Sequence, residues 1–293
     1  MLREGLERAR TRLGSDDAET MNLLNRLGLS LHASSRYDES EQCFREALAT
    51  LRRTAGPDDA GAIAALSNIG RSLHTRGRQA EAEPYFRETF ERFLRLRGDD
   101  HEESLSAASN LAALLSHMGK REEAGRLLSR ALEGRIKLLG RQHPMTLDAM
   151  DNLGVHLADG QRYEEALPLL QEAMSGMEKI SGRNSLFATI ARIRVGTTLA
   201  KLGKFAEGEA HLLEVQRTLG SAHGASGESQ WLIHLAELYE NWDKAEPGKG
   251  HEAQARSIRV KIEKAGKPVA PAMPQSASPK PVPAAESGGA GSP

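Results

Sequence analysis

Histidines and acidic residues are the side chains of this sequence that could bind a metal ion or transfer protons. The chain has 10 histidines and 40 aspartates and glutamates. His32 and His74 occupy equivalent positions 42 residues apart, and His117 follows one place beyond the next equivalent position. Side chains on neighbouring helices are about 8–10 Å apart, too far to share one metal ion unless they lean together. We therefore predict no metal site and interpret these histidines as solvated or ligand-facing residues.

Catalytic motifs are missing from the structural contexts that their chemistry requires. A P-loop, a GxGxxG turn and a nucleophile elbow each need a strand that leads into a helix, and no segment of this sequence alternates like a strand. The sequence also contains no HExxH zinc-protease motif. Catalysis would require polar residues that converge from separate parts of the chain, which their spacing does not suggest. We predict that the chain is not an enzyme and uses no cofactor.

Composition excludes further classes of function. The chain has 39 lysines and arginines against 40 acids and a formal net charge of −1, which argues against a domain-wide basic field for nucleic acid or for a membrane surface. No apolar run approaches the roughly 18 residues of a membrane span, and the start of the chain lacks an apolar signal core. The single cysteine, Cys43, excludes an internal disulfide. We predict a cytoplasmic protein that contacts neither nucleic acid nor a membrane.

A 42-residue repeat organises most of the chain. Two of its apolar columns are Leu27, Ile69, Leu111, Leu153 and Val195, and Leu31, Leu73, Leu115, Leu157 and Leu199. Apolar residues spaced three and four apart predict a first helix in each repeat, helix A, and a second one, helix B, after a short break. Glycines such as Gly77 and Gly203 in the break suit a left-handed helix end. Each repeat closes on a glycine: Gly56, Gly98, Gly140, Gly182 or Gly224.

Other columns predict how the helices begin and how closely they pack. Aspartates at 16–17, 58–59 and 99–100 are predicted N-caps, and Pro144 suits a first helical turn. Small residues form one column within helix A and a second within helix B. These columns are Gly28, Gly70, Ala112, Gly154 and Gly196, and Ser40, Ala82, Ala124, Ala166 and Gly208. Because glycine costs about 1 kcal/mol inside a helix, we expect the two columns to face each other in a tight hairpin.

These motifs resemble those of the tetratricopeptide repeat family, in the 42-residue type found in kinesin light chains. The resemblance is carried by Asn152-Leu153-Gly154 in helix A, by Arg162-Tyr163-Glu164-Glu165-Ala166 in the turn, by Phe44-Arg45-Glu46-Ala47-Leu48 in helix B, and by Leu139-Gly140-Arg141-Gln142-His143-Pro144 in the link. It implies an all-α fold, a right-handed α-solenoid of helix-turn-helix repeats. It also implies a concave groove, lined by the helices A, that binds a peptide or a protein.

The repeat pattern divides the chain into four predicted segments. Residues 1–15 form an N-terminal half-repeat that acts as a capping helix, and residues 16–224 form five repeats. Residues 225–265 form a degenerate capping hairpin, so that one solenoid extends from about residue 2 to 265. Residues 266–293 are dominated by proline, alanine, serine and glycine, and we interpret this tail as disordered.

The predicted partner-binding residues lie in the groove columns of helix A. Asn68, Asn110 and Asn152 recur in one column although asparagine disfavours helix interiors. Either each amide bonds to the neighbouring repeat, or the three form a ladder for the backbone of an extended peptide, which the family resemblance supports.

Arginines and isoleucines complete the predicted site. Arg26, Arg71 and Arg194 are available for acidic partner residues. Ile190 and Ile193 form an apolar anchor pocket, unless the sixth hairpin or the tail covers them.

These observations predict a noncatalytic scaffold that binds a peptide segment or a protein partner in its concave groove. The alternative is a sensor or docking module of a larger bacterial signalling assembly, beside or after a serine/threonine kinase. The string LAELYENWDKAE, residues 235–246, resembles the closing segment of repeat arrays that follow such kinases. The sequence does not name the partner or the oligomeric state.

Overall fold

Helices account for all of the regular structure in the described part of the chain. The computed structural model describes residues 2–219 and 225–264, and in these ranges the chain forms thirteen helices and no strand. The helices are α1 Leu2–Leu13, α2 Ala18–Ala33, α3 Tyr37–Thr54, α4 Ala60–Thr75, α5 Gln79–Arg97, α6 Glu102–His117, α7 Arg121–Leu139, α8 Pro144–Asp159, α9 Tyr163–Ser181, α10 Leu186–Lys201, α11 Phe205–Leu219, α12 Ala225–Ala245 and α13 His251–Lys264. Gly224 and the tail of residues 266–293 lie outside the described residues.

The helices alternate as the repeat predicts. The helices A of the five repeats are α2, α4, α6, α8 and α10. The helices B are the ones that follow them: α3, α5, α7, α9 and α11. Consecutive helices pack on one another within each hairpin, for example α2 on α3 and α10 on α11. A single helix, α1, packs on α2 ahead of the repeats, and the pair α12 and α13 follows them. The predicted all-α fold, an α-solenoid of helix-turn-helix repeats, is confirmed.

The helices divide into two compact units. An N-terminal unit extends to Gly134 and a C-terminal unit begins at Arg135, so the division falls within α7. The sequence predicts one continuous array because its repeat columns run through this point without an insertion.

Left-handed backbone ends the helices where the sequence predicts it. Gly77, Gly119 and Gly203 have φ of +74° in the break between helices A and B. Two repeats have this left-handed conformation at a residue other than glycine. At the equivalent positions, Ser35 has φ of +58° and Gln161 has φ of +62°. The closing glycines at 56, 98, 140 and 182 also have positive φ, as expected for residues without a Cβ atom.

The N-caps follow one column, and the prediction is right for two aspartate pairs and wrong for the third. Asp17 accepts hydrogen bonds from the backbone of Glu19 and Thr20, and Asp59 accepts one from Ala62. In the third repeat the cap is His101, whose Nδ1 accepts from the backbone N–H of Glu103 at 3.3 Å. Residues 99–100 lie outside the helix because the cap column continues from Asp59 to His101, 42 residues on.

The two small-residue columns face each other, as predicted. Ser40 Oγ donates to the carbonyl oxygen of Gly28 at 2.7 Å. A Cβ atom on Gly28 would lie 2.6 Å from the Phe44 ring, and one on Gly208 would lie 2.7 Å from the carbonyl oxygen of Gly196. The close approach of helix A to helix B is the compensation that helical glycine requires.

Gly208→Val is expected to lower the free energy of unfolding by about 2–4 kcal/mol, because the obstructing atom belongs to the backbone of α10 and cannot rotate away. Urea unfolding followed by circular dichroism measures this. Gly5→Ala is the matched control, since nothing lies within 4 Å of its added Cβ atom. It should raise stability by up to about 1 kcal/mol. Wild-type stability of Gly208→Val would show that the hairpin is not tightly packed.

Ion pairs connect successive helices B in the N-terminal unit. Arg10 of α1 pairs with Glu46 of α3 at 2.5 Å, Arg52 of α3 pairs with Glu88 of α5 at 2.6 Å, and Arg87 of α5 pairs with Glu123 of α7 at 2.6 Å. All three pairs are partly exposed, so each contributes about 0–1 kcal/mol. The three pairs therefore repeat one contact between helices B and add little to the stability.

Candidate functional site: the open stripes of α8 and α10

One face of α10 is left partly uncovered by the packing of the C-terminal unit. Gly196 marks the opposite face, because it lies against Leu212 of α11. Away from it, residues spaced three and four apart form a single line along the helix, which we call the open stripe of α10. Its residues are Phe187, Ile190, Arg194, Thr197 and Lys201. Phe187 and Lys201 are exposed at its ends, Ile190 and Thr197 are half-buried, and the Arg194 side chain at its centre is only 10% exposed.

The equivalent stripe of α8 places the asparagine column at its centre. Its residues are Met145, Asp148, Asn152, Val155 and Asp159, with Asp159 exposed and Met145, Asp148 and Val155 half-buried. Asn152 is 7% exposed, and its Oδ1 has no hydrogen-bond partner within the described part of the chain. This oxygen is itself buried, so the centre of the stripe has an acceptor whose hydrogen bond is unmade.

Asn68 has a different environment. It is 1% exposed, and its Nδ2 donates to Oδ1 of Asn25 on α2 at 3.0 Å. At this position the structure has the amide bond between repeats that is one of the two alternatives from the sequence. Asn110 is also buried, on α6. The three asparagines therefore share a column without sharing an environment.

Arg194 and Asp151 form a charged version of the same contact between repeats. Arg194 Nη1 donates to Asp151 Oδ2, and the two side chains are only 10% and 4% exposed. Burial lowers the pKa of Arg194 to about 10, and the negative charge of Asp148 opposes this shift. Asp151 Oδ1 has no hydrogen-bond partner within the described residues.

The three predicted arginines differ in their access to a partner. Arg26 is exposed on α2. Arg71 is buried on α4, and this burial lowers the pKa of its guanidinium. Arg194 is already engaged by Asp151. Of the three, Arg26 has the exposed charge that an acidic partner residue needs.

The two predicted isoleucines also differ in how far they are buried. Ile193 is 6% exposed and belongs to a core cluster with Trp231 and Leu235 of α12. The sixth hairpin therefore covers Ile193, which is the arrangement that the sequence leaves open as an alternative. Ile190 remains half-buried on the open stripe of α10.

Sequence reasoning missed Phe187. This side chain is 66% exposed, more than any other large hydrophobic residue in the described part of the chain. Its position three residues before Ile190 placed it on the same stripe, and that spacing was the available signal. Phe187 gives the C-terminal unit an exposed aromatic group beside the polar centre of the stripe.

His74 of α4 and His117 of α6 are in direct contact, which corrects the expected separation of one helix spacing. His74 Nε2 lies 2.5 Å from His117 Nδ1, and the ring centroids are 4.7 Å apart because the side chains lean together. No group of three or more metal-ligating side chains occurs among the described residues. Burial, together with the neighbouring His117, lowers the pKa of His74 to about 4.

The histidine contact predicts a stability that depends on pH. The pKa of His74 in the folded protein lies below the ordinary value of 6.5. The contribution of neutral His74 to the free energy of unfolding is therefore complete above pH 6.5 and is lost as the pH falls towards 4. With allowance for partial exposure, we expect the free energy of unfolding to drop by about 1–2 kcal/mol more in wild type than in His74→Gln over this range. Urea unfolding at pH 7, 6, 5 and 4 measures the difference. Parallel pH profiles would exclude the effect.

Comparison with known families and structures agrees with this architecture. The family model for the tetratricopeptide repeat matches residues 19–95, 73–130 and 103–179. The chain belongs to the tetratricopeptide repeat family. A search of curated protein sequences finds no match to this tetratricopeptide repeat protein.

Solved structures share the fold at low sequence identity. A putative kinesin light chain from Podospora anserina with nearly identical repeats has 16% identity and a TM-score of 0.61, over 68% of this chain and 94% of that chain. Aspartyl phosphate phosphatase F from Bacillus subtilis has 14% identity and a TM-score of 0.63, over 90% and 74%. A signal transduction ATPase with a tetratricopeptide repeat sensor from Pyrococcus horikoshii has 13% identity and a TM-score of 0.69, over 88% and 38%. Among the described residues, no helix has the length and apolar character that crossing a membrane requires.

Proposed function

We propose that this tetratricopeptide repeat protein is a noncatalytic scaffold that binds a segment of a partner protein along the open stripes of α8 and α10. The observation that carries the proposal is the exposure of Phe187 on the same stripe as Ile190. Exposed apolar groups rimmed by polar residues mark protein interaction sites. Aromatic side chains also contribute much of the energy at such sites.

Each part of the two stripes has a chemical role in this proposal. Phe187 and Ile190 provide an apolar anchor for one side chain of the partner. Asn152 has an unpartnered Oδ1 that is buried in the free protein, and it would accept a backbone N–H of an extended segment once its side chain turns towards the surface. Lys201 and Asp159, both exposed, supply charges of both signs at the far ends of the stripes. The Arg194–Asp151 pair holds α10 against α8 and so keeps the two stripes in register.

The N-terminal unit is less suited to this role. The equivalent stripe of α4 is closed, since Ala64, Asn68 and Arg71 are all buried. Its neighbour α2 has Asn22 and Arg26 exposed, so the open surface of this helix is polar and has no apolar anchor. The main binding energy is therefore assigned to the C-terminal unit.

Capture of a partner from the lysate of the source cell tests the proposal. The immobilised full chain is compared with Phe187→Asp, and the retained proteins are identified by mass spectrometry. A partner that is retained by wild type and lost from the variant supports binding at the stripe. Equal retention by both contradicts it.

A second candidate is a sensor or docking module of a bacterial signalling assembly. The observation that favours it is the string LAELYENWDKAE, now located in α12 and the residue after it, which resembles the end of repeat arrays behind serine/threonine kinases. In this case the stripe would bind a component of the assembly. A kinase gene beside the coding sequence, or a kinase among the captured proteins, would favour this candidate over a general adaptor.

A further inference from the structure

A crevice opens between α11 and α13 in the C-terminal unit, with α12 at its base. Its volume is about 390 Å³. The base consists of buried side chains, of which Trp231, Leu235, Tyr239 and Ile258 are the largest. Partly or fully exposed residues of α11 and α13 form the walls. The crevice lies between two helices B and is separate from the open stripes of α8 and α10.

The two walls of the crevice lack the ion pairs that connect helices B elsewhere, among the side chains that the structure describes. In the N-terminal unit, arginine–glutamate pairs such as Arg52–Glu88 connect one helix B to the next. No ion pair joins α11 to α13 among the side chains that the structure describes. The link between α12 and α13 contains Gly248 and Gly250, both with positive φ, and it takes the place of the short break found in the other hairpins.

The chemistry of the walls favours an anion. Lys261 provides an ammonium group, and Gln216, Gln254 and Ser257 provide neutral hydrogen-bonding groups. No aspartate or glutamate lines the crevice in the part that the structure describes. The hydroxyl of Tyr239 donates to Glu209, so Tyr239 contributes its ring to the base.

Trp231 is the largest aromatic residue at the base of the crevice. Its side chain is 3% exposed, and its indole N–H has no hydrogen-bond partner within the described residues. Because this N–H is itself buried, Trp231 offers the crevice its ring and not a hydrogen-bond donor. This suits the apolar part of a ligand.

We propose that this crevice binds a medium-chain carboxylate, with its apolar chain on the base and its carboxylate at Lys261. The volume lies within the range of about 300–1,000 Å³ that is typical of small-molecule sites. A partner helix would require a longer trough. The mixture of an apolar base, one cation and neutral donors matches a ligand with a single negative end.

Tryptophan fluorescence tests the proposal on the full chain. Trp242→Phe leaves Trp231 as the reporter and keeps a ring where Trp242 stacks on His251. Decanoate, below its micelle concentration, is expected to change the Trp231 emission with saturation. Decyltrimethylammonium has the same chain with the opposite charge and is expected to bind at least about tenfold more weakly.

Two charge reversals on α13 locate the site. Lys261→Glu is expected to weaken decanoate binding by at least about tenfold. Arg256→Glu makes the same change at an exposed residue that does not line the crevice, and it should bind like wild type. Ser257→Leu fills the crevice from its wall and should abolish binding with α-helical circular dichroism unchanged.

Several results would overturn the proposal. One is the absence of a saturable Trp231 response to decanoate. The others are equal affinity for decanoate and decyltrimethylammonium, and an equal loss of decanoate affinity in Lys261→Glu and Arg256→Glu. Trp231 emission that depends on protein concentration without ligand would instead assign the crevice to a second copy of the chain.

Discussion

Replacing Arg194 by asparagine is expected to lower the free energy of unfolding by about 3–5 kcal/mol. The substitution leaves the Asp151 carboxylate, 4% exposed, without its cation, and Asp148 adds a second negative charge nearby. Breaking a buried ion pair from one side is more costly than removing both charges, because the remaining charge is neither hydrated nor paired. Urea unfolding at neutral pH measures the effect.

The double variant Asp151→Asn/Arg194→Asn is the decisive comparison. It recreates the amide pair that Asn25 and Asn68 form at the equivalent positions, 3.0 Å apart. We expect its stability to be within about 1 kcal/mol of wild type, so that the two substitutions are strongly non-additive. Arg162→Asn is the control, because its pair with Glu165 is exposed and should cost at most about 1 kcal/mol. Additive losses would show that the contact between the two repeats is not a simple pair.

Phe187→Asp is expected to weaken binding of a protein partner by about thirtyfold or more, which corresponds to the loss of an aromatic hot spot. The added carboxylate would have to enter the apolar part of the contact. Stability should change by less than about 1 kcal/mol, since the ring is 66% exposed and packs little of its surface in the free protein. Titration of a captured partner by calorimetry measures the affinity.

Leu96→Asp provides the matched control for this substitution. Leu96 is also an exposed large hydrophobic residue, but it lies at the end of α5 in the N-terminal unit. It should retain wild-type affinity. Equal losses in the two variants would indicate a general effect of charge on apolar surface, and an unchanged affinity of Phe187→Asp would place the partner elsewhere on the chain.

The hairpins were predictable because local and periodic signals determine them. Spacing within one repeat gives the helices, and Gly77 or Gly203 gives the break between them. The facing of Gly196 and Gly208 also follows from sequence, since only a close approach compensates two glycines inside helices. The third N-cap shows how a strong local signal misleads: two aspartates precede His101, yet the register of the repeat decides the cap.

The candidate site was predictable only in part, because its properties depend on contacts between repeats. The column of Asn68 and Asn152 was visible, but whether each amide is paired depends on the residue that the neighbouring repeat presents. The sequence predicts that Arg194 is available to acidic partner residues, but the neighbouring repeat presents Asp151, which pairs with it. Exposure of Phe187 depends on how neighbouring helices cover the stripe, and the repeat pattern leaves these surface positions free to vary.

Site-specific photo-crosslinking tests the central claim, that a partner protein binds on the open stripe of α10. A photoreactive phenylalanine replaces Thr197, half-buried on the stripe, or Gln171, exposed on the helix B α9. Each variant is irradiated in lysate of the source cell, and the adducts are identified by mass spectrometry. The account predicts a partner adduct at position 197 and none of that partner at position 171. The same partner crosslinked only at position 171 would contradict it.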